Sequence, residues 1–312
     1  MASLLVGVLI AAAVVIVTPV LDRNSDEPSA PATGSDLDLE RRISGFAEDT
    51  VADAGFLPPG RVERETVAAG VGLYLDGRRG EAERKLAEVD FGVHILRDTA
   101  KGRRYAEIAD RAREDVRGWG RVYIDLDAPV RFSVQVPHPV ADSYSESLGA
   151  GVLRGAPGGV LVVAGAHRAA GKGNAADVAH RTDTIFHAVC AELVARRLPG
   201  IQVHGFADST SPPHDAVVST GAGDDGRAQA VTLARALADD GFRVCRAWSS
   251  KCPLAGRTNK QGRLASDDGV PFIHVEFSRT VRESEGRSRR VVEAMTTAVA
   301  EWKAPAEART GR

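Results

Sequence analysis

The chain contains little cysteine, with three residues in a length of 312. None of them has the Cys-x-x-Cys spacing of a zinc–thiolate or dithiol redox centre, so those two kinds of site are excluded. Cys190 lies within an apolar helical pattern and is predicted to be a buried thiol. Cys245 and Cys252 bracket a short loop, and they could form a disulfide if this part of the chain lies outside the cell.

The chain also lacks an excess of charge and two common signatures of enzymes. Its formal net charge is −2 and its basic residues form no tract, so there is no electrostatic reason to expect nucleic acid as a partner. Gly171-Lys172-Gly173 and Gly221-Ala222-Gly223 do not have the spacing of a phosphate-binding Walker loop. Ser145 and Ser219 lack the Gly-x-Ser-x-Gly turn of serine hydrolases. A nucleotide-binding loop and a serine nucleophile are therefore disfavoured.

One long apolar run is present at residues 2–21, and it carries no charged side chain. As a helix it would span about 30 Å, the thickness of the hydrocarbon layer of a membrane. No basic residue precedes the run and the residues after it make a poor cleavage site, so we expect an uncleaved membrane anchor rather than a signal peptide. Residues 22–38 are a polar linker. We expect the protein to be membrane-anchored, with the part of the chain after the linker extracytoplasmic.

The rest of the chain divides into a helical region at residues 39–90, an α/β domain at 91–303 and a short tail at 304–312. Within the domain, a hairpin is predicted at residues 91–109. After it, short apolar strands such as residues 160–164 and 272–277 alternate with helical patterns. This alternation predicts an α/β fold, a three-layer sandwich with a mixed, mostly parallel central sheet. Ligands in such sheets bind at the carboxyl ends of the strands.

Histidines and acidic residues follow several of these predicted strands. His138 follows the strand at residues 130–136 after a single proline, and Asp142 and Glu146 come next, at the start of a predicted helix. His204 ends a later strand, and Glu276 lies in the last one, two residues after a histidine that shares its face. Neutral imidazoles and carboxylates are ligands that zinc prefers, and strand ends hold such groups rigidly.

This order of residues resembles that of the zinc-carboxypeptidase-like hydrolases. The parts that carry the resemblance are His138 with Asp142 or Glu146, then Val203-His204, then Glu276 followed by Arg279. The segment from His138-Pro139 through Asp142 to Ser145 is closest to the poly-gamma-glutamate hydrolase and N-formylglutamate amidohydrolase branches. The resemblance covers about residues 91–302. The family usually has a glutamate two to four residues after the first histidine, whereas this chain has Asp142 there and its glutamate only at 146.

The resemblance implies a zinc-dependent amidohydrolase or peptidase that acts on a small-molecule or peptide substrate bearing a carboxylate. Zinc would be held by His138, His204 and either Asp142 or Glu146, with water in the open position, and Glu276 would be the general base. Further site groups would grip the substrate carboxylate, stabilise the oxyanion or support the ligands: Arg168, Arg181, Arg279, His167 and His180. The alternative is a catalytically degenerate member of the fold that acts as an envelope binding or scaffolding protein.

Overall fold

The computed structural model describes residues 34–49, 55–111 and 117–304, which form one ten-stranded sheet with helices around it. The strands follow one another in space in the order β1-β2-β3-β4-β6-β5-β7-β10-β8-β9. Their bounds are β1 Ser35–Leu37, β2 Phe91–Asp98, β3 Arg104–Asp110, β4 Arg121–Asp125, β5 Phe132–Val136, β6 Gly159–Val163, β7 Gly200–Phe206, β8 Ala216–Ser219, β9 Val244–Arg246 and β10 Phe272–Ser278.

Four neighbouring strands at the centre, β6, β5, β7 and β10, run parallel to one another. Every residue of β5, β6 and β10 is buried, as expected of parallel strands that are covered on both faces. Antiparallel pairs lie towards the two edges, at β2–β3–β4–β6 and at β10–β8. The predicted α/β class with a mixed, mostly parallel sheet is therefore confirmed.

Helices cover the sheet from both faces and bury two separate apolar cores. One core packs Ile43, Leu148, Leu233 and Met295 against one face of the sheet. The other packs residues such as Val71 against the opposite face. The helices are α1 Leu39–Glu48, α2 Arg61–Leu75, α3 Arg79–Ala87, α4 Ser145–Gly155, α5 Ile185–Ala195, α6 Arg227–Asp239, α7 Lys260–Asp267, α8 Arg279–Glu283 and α9 Glu285–Ala300.

Some of the smaller elements were predicted from the sequence and others were not. The hairpin is β2–β3, which pairs in antiparallel register, and the helical region before it contains α1, α2 and α3. Strand β1 and helices α7 and α8 were not predicted. The apolar run at residues 2–21 lies outside the described residues, as does most of the tail. Among the residues that the structure does describe, none of the helices combines the length and hydropathy needed to cross a membrane.

The structure agrees with the burial predicted for Cys190 and contains the disulfide considered for Cys245 and Cys252. Cys190 is a free thiol buried in α5. Cys245 in β9 is bonded to Cys252, with the two Cα atoms 5.9 Å apart. This disulfide closes the start of the long segment between β9 and α7.

Candidate metal centre

The first two residues of the site follow strand β5. The chain turns beyond Val136 so that the amide of Asp142 donates to the carbonyl of His138 over 2.9 Å. This turn places Oδ2 of Asp142 3.4 Å from Nδ1 of His138. His138 is only 1% exposed and Asp142 only 6%, so the two groups meet away from bulk water.

His204 reaches the same point from β7, the parallel neighbour of β5. Its Nδ1 lies 3.1 Å from the same Oδ2 of Asp142, and its ring centroid is 4.9 Å from that of His138. One potential ligand atom from each of the three residues lies within 4.8 Å of the other two. We refer to His138, Asp142 and His204 as the His-Asp-His cluster.

Glu146, the other acid predicted as a ligand, lies outside this cluster. It belongs to α4, whereas Asp142 precedes the helix, and Tyr144 between them has a φ of 68°. That left-handed conformation interrupts the helical path and separates the two carboxyls. Oε2 of Glu146 is buried with no hydrogen-bond partner among the described residues, and burial raises the pKa of its carboxyl to about 7. The structure therefore places Asp142, not Glu146, with the two histidines.

The charges in the cluster result from opposing effects. Burial alone would raise the pKa of Asp142, but its hydrogen bonds with His138 and His204 lower it below its usual range. Burial lowers the pKa of His204. In His138 burial acts in the same direction, but the carboxylates of Asp142 and Asp177 outweigh it and raise the pKa. The cluster thus has an ionised carboxylate and imidazoles whose protons a divalent metal would displace.

Strand β10 brings His274 and Glu276 to the cluster. Glu276 is in register with His204 on the adjacent strand β7, and the ring of His274 is centred 4.7 Å from that of His204. His204, His274 and Glu276 form a second set of potential ligand atoms within 4.8 Å of one another. Burial, reinforced by the nearby charge of Asp142, raises the pKa of Glu276 well above its usual value. A carboxyl with a strong tendency to take up a proton therefore lies beside the His-Asp-His cluster.

Asp177, which the sequence analysis did not single out, orients His138. It lies in the segment between β6 and α5, and its Oδ1 is 2.8 Å from Nε2 of His138. Its second oxygen accepts from Arg168 over 2.8 Å, and its first also meets Nδ1 of His180 at 3.1 Å. A weak signal was present, since Asp177 lies between two predicted site residues in a segment that follows a central strand. Sequence spacing alone does not say which histidine such a loop carboxylate contacts.

The remaining predicted residues are distributed unevenly around the cluster. Arg168 is close, since its Nη1 is 3.4 Å from Nδ1 of His138, and its side chain is 39% exposed. Arg181 donates instead to Asp183 at the start of α5. His167 accepts from the amide of Ala169. Arg279 is an exposed residue of α8 that donates to Glu283 in the same helix. Arg168 and His180 are thus tied to the site through Asp177, whereas the hydrogen bonds of Arg181, His167 and Arg279 are local.

Arg282 is a buried guanidinium next to the cluster. It donates to the main-chain carbonyls of Phe277 (3.1 Å) and Phe206 (3.2 Å), and to that of Ser143. These carbonyls come from β10, from β7 and from the turn that carries Asp142. The guanidinium passes directly over Gly205, where a Cβ atom would lie 2.3 Å from Cζ of Arg282. Arg282 therefore ties together the three chain segments that supply the site.

The donor set is suited to a zinc ion. Nitrogen and oxygen ligands of a tetrahedral zinc, at bond lengths near 2.0–2.2 Å, lie about 3.3 Å apart. The distances from Oδ2 of Asp142 to the two Nδ1 atoms are 3.4 and 3.1 Å. Each imidazole has its other nitrogen engaged, His138 with Asp177 and His204 with Oε1 of Gln202 at 2.7 Å. Two ring nitrogens therefore face a single carboxylate oxygen, the geometry of a three-ligand site.

Comparison with known proteins gives neighbours among the solved structures. No protein-family model and no curated protein matches the chain. The N-formylglutamate amidohydrolase of Ralstonia eutropha JMP134 is 12% identical, with a TM-score of 0.42, over 59% of this chain and 96% of that one. Zinc-free YNDL is 18% identical, with a TM-score of 0.42, over 61% and 93% of the two chains. An aspartoacylase family protein of Mesorhizobium loti MAFF303099 is 12% identical, with a TM-score of 0.36, over 71% and 69%.

The structural neighbours thus include members of the zinc-carboxypeptidase-like fold that the sequence resembles, at low sequence identity. One of these neighbours is an N-formylglutamate amidohydrolase, and this is one of the two branches of the family that the segment around His138 resembles. Such distant likeness says nothing about activity. The function is therefore inferred from the side chains of this chain.

Proposed function

We propose that the protein is a zinc-dependent hydrolase that cleaves an amide or peptide bond in a substrate bearing a carboxylate. The observation that carries this proposal is the convergence of His138, Asp142 and His204 on one point, with Glu276 on the neighbouring strand. Three protein ligands with an open fourth position are typical of catalytic zinc, whereas structural zinc is closed by four. A buried carboxyl beside such a site is the usual proton carrier of metal-assisted hydrolysis.

His138, Asp142 and His204 would hold the ion, which when bound would lower the pKa of a water molecule and polarise the scissile carbonyl. Glu276 takes the proton from the attacking water and passes it to the leaving amine. Its environment suits both steps, because burial and the charge of Asp142 make its carboxyl a stronger base than an exposed one. Asp177 keeps His138 oriented throughout.

Arg168 is the basic residue that supports a carboxylate-bearing substrate. Its guanidinium is 2.8 Å from Asp177 and 3.4 Å from the His138 ring, yet part of the side chain faces solvent. A planar guanidinium in that position can bind an incoming carboxylate through two parallel hydrogen bonds, or stabilise the oxyanion of the tetrahedral intermediate. Arg181 and Arg279 pair instead with Asp183 and Glu283 in their own segments, so we assign them no step.

The proposal is tested by the metal content of the full chain, purified without chelators and measured by mass spectrometry. We expect about one equivalent of zinc, the stoichiometry of a single three-ligand site. His204→Ala should lose the metal, because it removes one of three ligands. Glu276→Gln should keep the metal and lose turnover, because an amide cannot carry the proton. His94→Ala, in the exposed part of β2, is the matched control and should behave as wild type.

Two outcomes would count against this proposal. Less than about a tenth of an equivalent of metal, unchanged by added zinc, contradicts the metal centre, since such sites bind zinc tightly. A full complement of zinc with no hydrolysis across a broad panel of acylated amino acids and peptides favours the alternative, a binding or scaffolding protein of the same fold.

We further propose that the protein is membrane-anchored through residues 2–21 and that its catalytic part is extracytoplasmic. The disulfide between Cys245 and Cys252 supports this location, because disulfides persist in oxidising compartments and are rare in the cytosol.

A further inference from the structure

We propose that Gln202 is a positioning residue for the metal centre. Its side-chain carbonyl holds a proton on Nε2 of His204, and this directs the lone pair of Nδ1 into the His-Asp-His cluster. The inference deepens the proposed function and rests on it for the role in metal binding. The position of the proton itself can be tested whether or not zinc binds.

Gln202 and His204 contact each other because they lie two residues apart in β7 and so share a face of the sheet. Oε1 of Gln202 is 2.7 Å from Nε2 of His204. Gln202 is 0% exposed and His204 5%, so water cannot substitute for either partner. A glutamine amide has an acceptor end and a donor end. The direction of this hydrogen bond therefore depends on which end of the amide faces the imidazole.

A chain of hydrogen bonds on one side of Gln202 determines that orientation. The carbonyl of Pro199 can only accept, and Oγ of Ser133 lies 3.4 Å from it. Nε2 of Gln135 donates to that hydroxyl over 3.2 Å. Oε1 of Gln135 is then the acceptor that faces Nε2 of Gln202, at 3.0 Å. The donor end of Gln202 is thus directed to Gln135 and its acceptor end to His204.

A second set of hydrogen bonds, through Asn259, independently indicates the same orientation of the Gln202 amide. The main-chain N–H of Gly262 can only donate, and it donates to Oδ1 of Asn259 over 2.9 Å, which caps helix α7. The amide nitrogen of Asn259 is therefore left as a donor, and it donates to Oε1 of Gln202. Two main-chain groups at opposite ends of the network thus agree that an oxygen faces His204.

The imidazole must then carry a proton on Nε2. With the proton on Nδ1 alone, lone pairs of Nε2 and of Oε1 would face each other in a buried site, an arrangement that costs the desolvation of both groups. Without a metal, Nδ1 faces Oδ2 of Asp142 at 3.1 Å and can carry a second proton there; a bound metal would displace that proton, whereas the proton on Nε2 would stay. In His138 the corresponding nitrogen, Nε2, faces the charged carboxylate of Asp177. Gln202 orients His204 in the same way but adds no charge.

The experiment combines two measurements on the full chain and on three variants. Long-range ¹H–¹⁵N NMR of the metal-free protein at pH 8 reports whether Nε2 of His204 carries a proton, and competition with a chelator gives the dissociation constant for zinc. Gln202→Leu removes the acceptor. Gln202→Glu keeps it. Gln135→Leu, the matched control, alters the same buried network one hydrogen bond further from His204.

We expect a hydrogen-bonded Nε2–H in wild type, in Gln202→Glu and in Gln135→Leu, and its loss in Gln202→Leu. Zinc affinity should fall about 10- to 100-fold in Gln202→Leu, as is typical when the hydrogen-bond partner of a metal-bound histidine is removed. It should change by less than about threefold in the other two variants, whose His204 keeps its partner.

Several results would overturn the inference. The first is a wild-type His204 without a proton on Nε2. The second is a Gln202→Leu variant with unchanged affinity, and the third is a loss of affinity in Gln135→Leu as large as in Gln202→Leu. If Gln202→Leu does not fold, a loss of the Nε2 proton in Gln202→Glu contradicts the inference and its retention supports it. Failure of wild type to bind zinc would refute the proposed function, while the NMR measurement would still decide the role of Gln202.

Discussion

Among single residues, Asp177 illustrates how a side chain outside the proposed metal centre can orient one that belongs to it. Its carboxylate oxygen lies 2.8 Å from Nε2 of His138, on the side of the ring opposite Asp142. A carboxylate in that position fixes the ring orientation and raises the basicity of the ligating nitrogen. The pKa of Asp177 is lowered by its hydrogen bonds with His138 and His180, which outweigh the effect of burial, so it remains ionised at neutral pH.

Replacing this carboxylate should weaken metal binding without removing a ligand. For Asp177→Ala we expect zinc affinity to fall about 10- to 100-fold, because His138 loses the group that orients it. Chelator competition measures the change. His180→Ala is a suitable control, since that half-exposed residue contacts the same carboxylate but not His138. Equal zinc affinity in Asp177→Ala and wild type would show that His138 needs no orienting partner.

The sequence identifies some of these residues and not others, for physical reasons. His138, His204 and Glu276 could be selected because each lies at or near the end of a central strand, where parallel sheets gather their ligands. The choice between Asp142 and Glu146 could not be made, because it depends on the positive φ of Tyr144, which places the two acids on different segments. For Asp177 the sequence offers only a weak signal, and for Gln202 none. Their roles depend on how a long loop and a buried amide network fold over the strands.

At the scale of elements, the site depends on the alignment of β5, β7 and β10 with one another. Arg282 contributes to this alignment by donating to carbonyls of β7, of β10 and of the turn that follows β5. It can do so only because residue 205 has no side chain. A Cβ atom there would approach Cζ and Nε of Arg282 to 2.3 Å.

We therefore expect Gly205→Ala to destabilise the protein. The guanidinium is buried and engaged on three sides, so the clash must be relieved by displacing it or the strand, at a cost of about 1–3 kcal/mol. Urea denaturation followed by circular dichroism measures the change. Gly45→Ala is the control, since nothing lies within 4 Å of a Cβ atom at that position of α1, and alanine favours helix over glycine by about 1 kcal/mol. An unchanged midpoint for Gly205→Ala would mean that Arg282 adapts freely.

The elements themselves were predictable to different degrees. The central strands were found because their apolar runs are buried on both faces and need no alternation. Helix α7 was missed because its buried positions are Gln261, Gly262 and Ala265, which give no apolar period. Strand β1 was missed because three residues carry too little pattern. Its conformation comes from pairing with β2.

On the scale of the whole molecule, Asp215 connects parts of the fold that are distant in sequence. Its carboxylate accepts from Arg243 just before β9 and pairs with Arg287 of α9, and its carbonyl accepts from the amide of Ser278 at the end of β10. The hydrogen bonds with Arg243 lower the pKa of Asp215 from 3.8 to about 2. The ionised carboxylate therefore stabilises the folded state.

This coupling predicts a component of acid sensitivity. Because the folded pKa lies below the unfolded one, the stabilisation is complete above about pH 4 and is lost as the pH falls towards 2. Its size should be about 1 kcal/mol after allowance for the exposed arginine partner. The gap in unfolding free energy between wild type and Asp215→Asn should be present at pH 7 and shrink at pH 2.5. Asp224→Asn, in an exposed pair, is the control. A gap independent of pH would refute the linkage.

The register between β7 and β10 has a consequence for how this protein could diversify. His204 and Glu276 are partners across two hydrogen-bonded strands, so their separation is set by main-chain spacing, about 4.8 Å between neighbouring strands. Loops around the proposed metal centre can therefore lengthen, shorten or change composition without altering the interval between the proposed metal ligand and the proposed proton acceptor. In such a scaffold, selectivity can evolve while the reaction chemistry is inherited intact.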